Sequence, residues 1–149
     1  MTLKELKEET RGALLGVDFG DTRTGLAVCD ATRFIASGRE NIVEKGIEKT
    51  ADRGAEYALR EGVSGIVVGL PKNMDGTEGH RADRARRFAA MVEERTGLPV
   101  ALADERMTTM AASRYLNATD TCGKKRKNVI DTLSAQIILQ NALDRMKNL

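Results

Sequence analysis

The stretch Leu14-Leu15-Gly16-Val17-Asp18-Phe19-Gly20-Asp21-Thr22-Arg23-Thr24-Gly25-Leu26-Ala27-Val28 constrains this chain most. Two apolar runs flank a polar turn that contains glycine, which predicts two strands joined as a hairpin. Asp18 falls where the first strand ends. A carboxylate there costs strand propensity and gains no obvious packing. It points to a metal ligand or a general base. A turn aspartate bonding its own backbone beside Gly20 and Asp21 is the alternative. The stretch alone leaves both open.

The remainder of the chain sets the class. At 149 residues it is expected to form one domain, 1–149, large enough for a core without staples. Hydrophobic content of 41% and charged content of 31% fit a globular protein. No apolar run approaches the roughly 20 residues of a membrane span. Met1 to Arg11 is charged and polar, unlike a signal peptide, so the expected location is cytoplasmic. Cys29 and Cys122 have no metal-binding spacing and read as reduced thiols without a role.

Net charge is only +2, but its distribution is uneven. Arg81, Arg84, Arg86 and Arg87 form one basic cluster, and Lys124, Lys125, Arg126 and Lys127 another. Such clusters suit a polyanion, although a solvated helix face gives the same pattern. Aromatic residues make up 3% of the chain, so backbone contacts are favoured over base stacking for holding a nucleic acid.

In chain order, Met1 to Glu9 reads as a short frayed helix or tail, and the hairpin follows. A third strand is expected over Phe34 to Val43, which makes an antiparallel meander. Gly46 to Glu61 carries Ile47, Ala51, Ala55, Ala58 and Leu59 at helical spacing, with Gly62 as the stop. Gly65 to Leu70 has the composition of a buried parallel strand. It empties into a polar loop, Pro71 to Gly79, at the strand end where α/β proteins place ligand sites. His80 opens the next helix and is expected at the surface. That helix, about Glu78 to Arg95, buries Ala82, Ala85, Phe88, Ala89 and Val92. Val100 to Ala103 forms another strand and ends in Asp104-Glu105-Arg106. A helix capped by Thr108 or Thr109 follows. Asn117 to Asn128 reads as a polar loop. The last helix, about Val129 to Met146, shows Ile130, Leu133, Ile137, Ile138 and Leu143 as its stripe. Asp131 would open it, where the helix dipole favours an acid and nearby lysines offer a salt bridge.

If the strands ending in Asp18 and in Asp104-Glu105 are neighbours, their carboxylates share one sheet edge. A helix packed over that edge would add Asp131. Three acids without histidine are a ligand set for Mg²⁺ or Mn²⁺. Two such ions about 4 Å apart activate a water and stabilise the leaving oxygen of a phosphodiester. Of Asp104 and Glu105 only one faces the metal, because neighbours on a strand point to opposite faces.

At these residues the chain resembles the YqgF (RuvX) family of Holliday-junction-resolvase-like proteins, also described as pre-ribosomal-RNA nucleases. The resemblance runs from Leu14 to Leu143. It rests on Val17-Asp18-Phe19-Gly20 with Arg23 and Gly25, on Ile66 to Thr77, on Asp104-Glu105-Arg106-Met107-Thr108-Thr109, and on Ile130-Asp131 with Ala135 and Ile137-Ile138-Leu139-Gln140. It departs at Asn128, where a basic residue is common, and at Ser134, where a small apolar one is usual. The resemblance implies a ribonuclease-H-like α/β fold, a five-stranded mixed sheet flanked by helices. It implies metal-binding and catalytic roles for Asp18, Glu105 and Asp131. The activity implied is a cytoplasmic nuclease that trims the 5′ end of the small-subunit ribosomal RNA precursor.

The expected chemistry is hydrolysis of a phosphodiester assisted by Mg²⁺ or Mn²⁺. Arg23, Lys72, Asn73 and Arg106 are candidates for substrate phosphates or for orienting the acids, and Lys127 for the nucleic-acid backbone. Junction DNA is the alternative substrate. A symmetrical junction suits a homodimer, whereas end trimming suits a monomer. A non-catalytic nucleic-acid-binding assembly factor is the third reading. The acids argue against it, since carboxylates repel phosphate unless a metal intervenes. The hairpin also looks like the phosphate-binding hairpin of the actin and sugar-kinase superfamily. That architecture needs a second such domain, and 149 residues hold one.

Overall fold

The computed structural model describes residues 1–73, 75–104 and 123–149, with the backbone alone over 123–131. The strands are β1 (Leu14–Asp18), β2 (Arg23–Cys29), β3 (Ala36–Val43), β4 (Gly65–Leu70) and β5 (Val100–Asp104). The helices are α1 (Leu3–Glu9), α2 (Ile47–Glu61), α3 (His80–Thr96) and α4 (Gly123–Met146). The strands form one sheet in the order β3-β2-β1-β4-β5. β1 pairs antiparallel with β2, and β2 with β3. β1 runs parallel to β4, and β4 to β5. The expected five-stranded mixed sheet flanked by helices is therefore present.

Alternation along each strand divides the core in two. Leu15, Val17, Ile66 and Val68 face α2 and α3, where they meet Ala51, Ala58 and Phe88. Leu14, Val67, Ala101 and Ala103 face α4, where they meet Ala135, Ile138, Leu139 and Leu143. Both faces of the central strands are covered, which explains why β4 is apolar throughout. Gly62 ends α2 in the left-handed region at φ +68°, as its position predicts. α3 buries the five expected residues. Leu59 departs from expectation and is 56% exposed, whereas Ala51 and Ala58 are the small α2 residues packed in the core.

Three other segments differ from the sequence reading. The N-terminal segment is a docked helix rather than a frayed tail. Thr2 Oγ1 accepts the Glu5 N–H at 3.1 Å and Glu5 Oε1 accepts the Thr2 N–H at 3.2 Å, a reciprocal cap. Leu3 and Leu6 are buried, and a Cβ on Gly65 would stand 2.8 Å from Leu6 Cδ1. β3 starts at Ala36, leaving Phe34 and Ile35 exposed in the preceding turn. Asp30 holds that turn, accepting the N–H groups of Ile35 and Phe34 at 2.9 Å each and that of Thr32 at 3.2 Å.

α4 is the third difference. It begins at Gly123, so Lys124 to Asn128 are helical rather than a loop, and Asp131 lies about two turns inside. Lysine and arginine are good helix formers, and the one breaker in the segment stands at its start. The buried stripe is Ser134, Ala135, Ile138, Leu139, Ala142, Leu143 and Met146, with Leu133 and Ile137 only half-buried. Gly16 sets this rotation. A Cβ there would lie 2.7 Å from Leu139 Cβ and 3.2 Å from the Ala135 carbonyl oxygen. The Ser134 hydroxyl is buried without a hydrogen-bond partner among the described residues.

Two outcomes follow from these contacts. Gly16→Ala forces α4 off the sheet and is expected to cost about 1–3 kcal/mol, read by denaturant unfolding. The loop N–H groups, that of Ile35 first, together with the Thr32 side chain, lower the Asp30 carboxyl from an ordinary 3.8 to about 2. A lowered value stabilises the fold fully above the unfolded value and loses that contribution as pH falls through the folded one. Between about pH 4 and 2 the wild-type Tm should therefore fall more steeply than that of Asp30→Ala.

Candidate functional site

Because β1, β4 and β5 are parallel, their carboxyl ends share one sheet edge. Asp18 ends β1, Leu70 ends β4 and Asp104 ends β5. The two acidic strand ends are not on neighbouring strands, so the adjacency on which a shared carboxylate pair was conditioned is not met. β4 lies between them, which puts them roughly 10 Å apart across two strand spacings. The parallel crossover through α2 inserts β4 beside β1 and pushes β5 one place outward. Alternation also separates the two by face. Asp18 follows Leu14 and Gly16, which look toward α4. Asp104 follows Val100 and Leu102, which look toward α2 and α3. Asp104 thus does not share the face of Asp18. Glu105 and Arg106 lie outside the described residues.

α4 runs antiparallel to β1. Thr132 stands over Gly38 of β3, whereas Gln140 Oε1 accepts the Ala36 N–H at 2.9 Å and Gln140 Nε2 donates to the Phe34 carbonyl at 3.0 Å. The helix therefore descends as β3 ascends, and β3 has the direction of β1. Asp131 precedes Ala135 by four residues, about 6 Å of helix. Ala135 lies over Gly16, and Asp18 lies two residues beyond Gly16, about 6.6 Å of strand. Asp131 and Asp18 occupy the same height on the two elements. The side chain of Asp131 is outside the described set, as is that of Lys127. Among the described residues, no three His, Cys, Asp or Glu side chains converge as a metal-binding group.

The hairpin that carries Asp18 is clamped to α3. Phe19 stacks on Phe88 with ring centroids 4.7 Å apart and an interplanar angle of 24°. Arg84 Nε donates to Asp21 Oδ1 at 2.6 Å. The turn is tight at Gly20, where a Cβ would overlap the Arg23 carbonyl oxygen. Sequence reading missed Asp21, Arg84 and Phe88 as supports of the site. Phe19 directly after the acid and an arginine on the facing helix were the available signal. Arg23 opens β2 at the same edge and is half-buried.

The loop after β4 closes on itself. Asn73 N–H donates to the Thr77 carbonyl at 2.8 Å and Asn73 Nδ2 to Thr77 Oγ1 at 2.9 Å. Asp75 Oδ1 accepts both the N–H and the hydroxyl of Thr77. Part of the Asn73 amide is thus engaged in shaping the loop. Lys72 and Asp104 line a groove of about 610 Å³, together with Arg86, which makes a two-bond ion pair with Glu78. The Arg86 guanidinium holds the Glu78 carboxyl below its usual range. His80 is exposed at the first position of α3, as expected. Cys29 is buried and accepts the Leu14 N–H at 3.2 Å, and burial pushes its thiol up. Cys122 lies outside the described residues.

Three strands in an antiparallel meander, two more parallel to the first, and an acid at the end of β1 under a crossing helix define a ribonuclease-H-like fold of the resolvase type. The fold is similar to that of Thermus thermophilus RuvC solved in complex with a Holliday junction substrate, with a TM-score of 0.58 and 15% identity, over 91% of this chain and 96% of that one. It is also similar to the fowlpox virus resolvase in complex with Holliday junction DNA, with a TM-score of 0.51 and 10% identity, over 88% and 98% of the two chains. Residues 12–145 match the family model RuvX, described as Holliday junction resolvase. A relative from Ruegeria sp. (strain TM1040), named "Putative pre-16S rRNA nuclease", is 42% identical over 92% of this chain and 87% of its own length. One of the same name from Rhodopseudomonas palustris (strain TIE-1) is 46% identical over 91% and 85%. The chain belongs to the RuvX family and is a nuclease, a hydrolase of phosphodiester bonds.

The clamp under the hairpin has a measurable weight. Phe88 is fully buried and touches both Phe19 and the Gly54 position of α2. Phe88→Ala is expected to cost about 3–5 kcal/mol in denaturant unfolding.

Proposed function

We propose that the chain is a metal-dependent nuclease that processes the 5′ end of the small-subunit ribosomal RNA precursor in the cytoplasm. The observation that carries this reading is Asp18, at the carboxyl end of β1 on the face that α4 covers, in a chain of this family. Asp18, Glu105 and Asp131 would hold Mg²⁺ or Mn²⁺, since carboxylate oxygens are the donors that hard cations take. When bound, such a cation activates water and neutralises charge on the leaving oxygen of a phosphodiester.

The chain's own residues supply the rest. The Phe19–Phe88 stack and the Asp21–Arg84 pair fix the hairpin, so that Asp18 reaches its place without an ordering cost at each turnover. Arg23 and Lys72 stand at the same sheet edge and bind the phosphates that flank the scissile one. Asn73 keeps the loop that carries Lys72 in shape. Arg106 and Lys127 extend the contact along the nucleic-acid backbone.

The precursor RNA is favoured by the names of relatives at 42–46% identity. Four-way junction DNA is the second reading, favoured by the family's description and by the resolvase fold. A labelled RNA precursor with its 5′ leader and a labelled four-way junction, run side by side with Mn²⁺ and with EDTA, separate the two. Trimming of the RNA alone is expected. Paired nicks in the junction alone would move the protein to recombination. Asp18→Asn should lower cleavage by at least about a hundredfold, the scale of losing one preorganised electrostatic group. Undiminished cleavage by that variant would sink the mechanism.

A further inference from the structure

A second concavity lies at the opposite end of the sheet. It is a cavity of about 420 Å³ formed where β1 begins and β2 ends, roughly 13 Å of strand away from Asp18. Its size is that of a small-ligand site. The floor is apolar, made by Leu143 and Met146 of α4. One wall is Phe34, whose side is 61% exposed. The rim is basic: Lys7, Arg11, Arg33 and Lys147 line it, and among the described residues no aspartate or glutamate does.

One nearby acid is committed to its own turn, and the other is shared with the rim cation Lys147. Asp30 accepts the amides of its own turn, and Asp144 accepts from Gln140 Nε2 at 3.1 Å and stands 3.9 Å from Lys147. Arg33 is the structural cation of the set. It sits at φ +61°, donates to the Gly12 carbonyl and to Thr10 Oγ1 at 2.7 Å each, and so ties the β2–β3 turn to the start of β1. Lys7 donates to a carboxylate oxygen of Leu149 at 2.5 Å, an ion pair that holds its ammonium at the rim. The Lys147 ammonium lies 4.6 Å from the Phe34 ring centroid. Arg11 is exposed.

We propose that this cavity binds one nucleotide unit, its phosphate on the Lys7–Arg11 side and its base against Phe34 and the apolar floor. An exposed aromatic ring offers a flat partner to a base, and bases of any kind stack on such a face. Several cations around one opening suit a phosphate better than a single carboxylate. The site is separate from the acidic edge and does not rest on the nuclease reading. The nucleotide has two possible sources, a free mononucleotide or one residue of a single strand.

Calorimetric titration of the full chain in EDTA, with AMP, with inorganic phosphate and with a single-stranded RNA pentamer, tests it. AMP is expected to saturate, with phosphate alone at least about tenfold weaker because it lacks the stacking contact. Phe34→Ala and Arg11→Glu should each weaken AMP by about fivefold or more, whereas Asp18→Asn should leave it unchanged. Both altered positions are exposed, and an unchanged unfolding transition confirms that the variants fold. A pentamer bound about tenfold tighter than AMP, with the same loss in Phe34→Ala, assigns the site to a strand. Equal affinities assign it to a free nucleotide. Absence of binding by both AMP and the pentamer at several millimolar, or binding indifferent to both substitutions, overturns the proposal.

Discussion

The close approach of α4 to β1 at Gly16 is the contact on which the rest depends. With no side chain at that position, Leu139 and the Ala135 carbonyl sit directly on the strand backbone. That contact fixes both the rotation and the height of the helix. Its buried stripe, Ala135, Leu139, Ala142 and Leu143, then covers one face of the sheet. The same fixed height sets Asp131 level with Asp18. A helix held a turn higher or lower would bury nearly the same apolar area and carry the acid elsewhere. Hydrophobic burial is non-directional, so the specific height comes from the steric fit at Gly16 and, beside it, at Gly38 under Thr132.

Much of this was legible from the residues. The hairpin, the buried strand Gly65–Leu70 and the five-residue face of α3 follow from period and turn chemistry, and all are found. Leu59 and the pair Leu133 and Ile137 were less legible, because period alone gives a stripe only to within a position or two. The partner's shape decides which edge of the stripe is buried. The start of α4 was misplaced because Lys124 to Asn128 is polar and basic, the composition of a loop. Lysine and arginine also rank among the better helix formers. The docking of α1 was hidden by its charge, although Leu3 and Leu6 at i, i+3 carry it.

The site was legible as a set of residue types and less so as a geometry. Strand order is not written locally. Asp18 and Asp104 both end strands, but the crossover through α2 places β4 between them. Alternation then puts Asp104 on the face away from α4. The supports of the hairpin were also invisible, since the Asp21–Arg84 and Phe19–Phe88 contacts span more than sixty residues of chain.

The placement of charge follows from the topology. Parallel strands end together, so acids at their ends are gathered at one edge whatever the intervening sequence. Carboxylates at such an edge repel a phosphate. The arrangement becomes useful when a cation shares the edge, and it is then a phosphate site rather than a barrier to one. At the other end of the sheet the antiparallel turn brings Arg33 against Gly12 and Thr10, α1 adds Lys7, and the turn after α4 adds Lys147. One end of the sheet thus gathers acids and the other bases. At roughly 13 Å the two ends lie beyond a Debye length at physiological salt, so the basic end does not neutralise the acids.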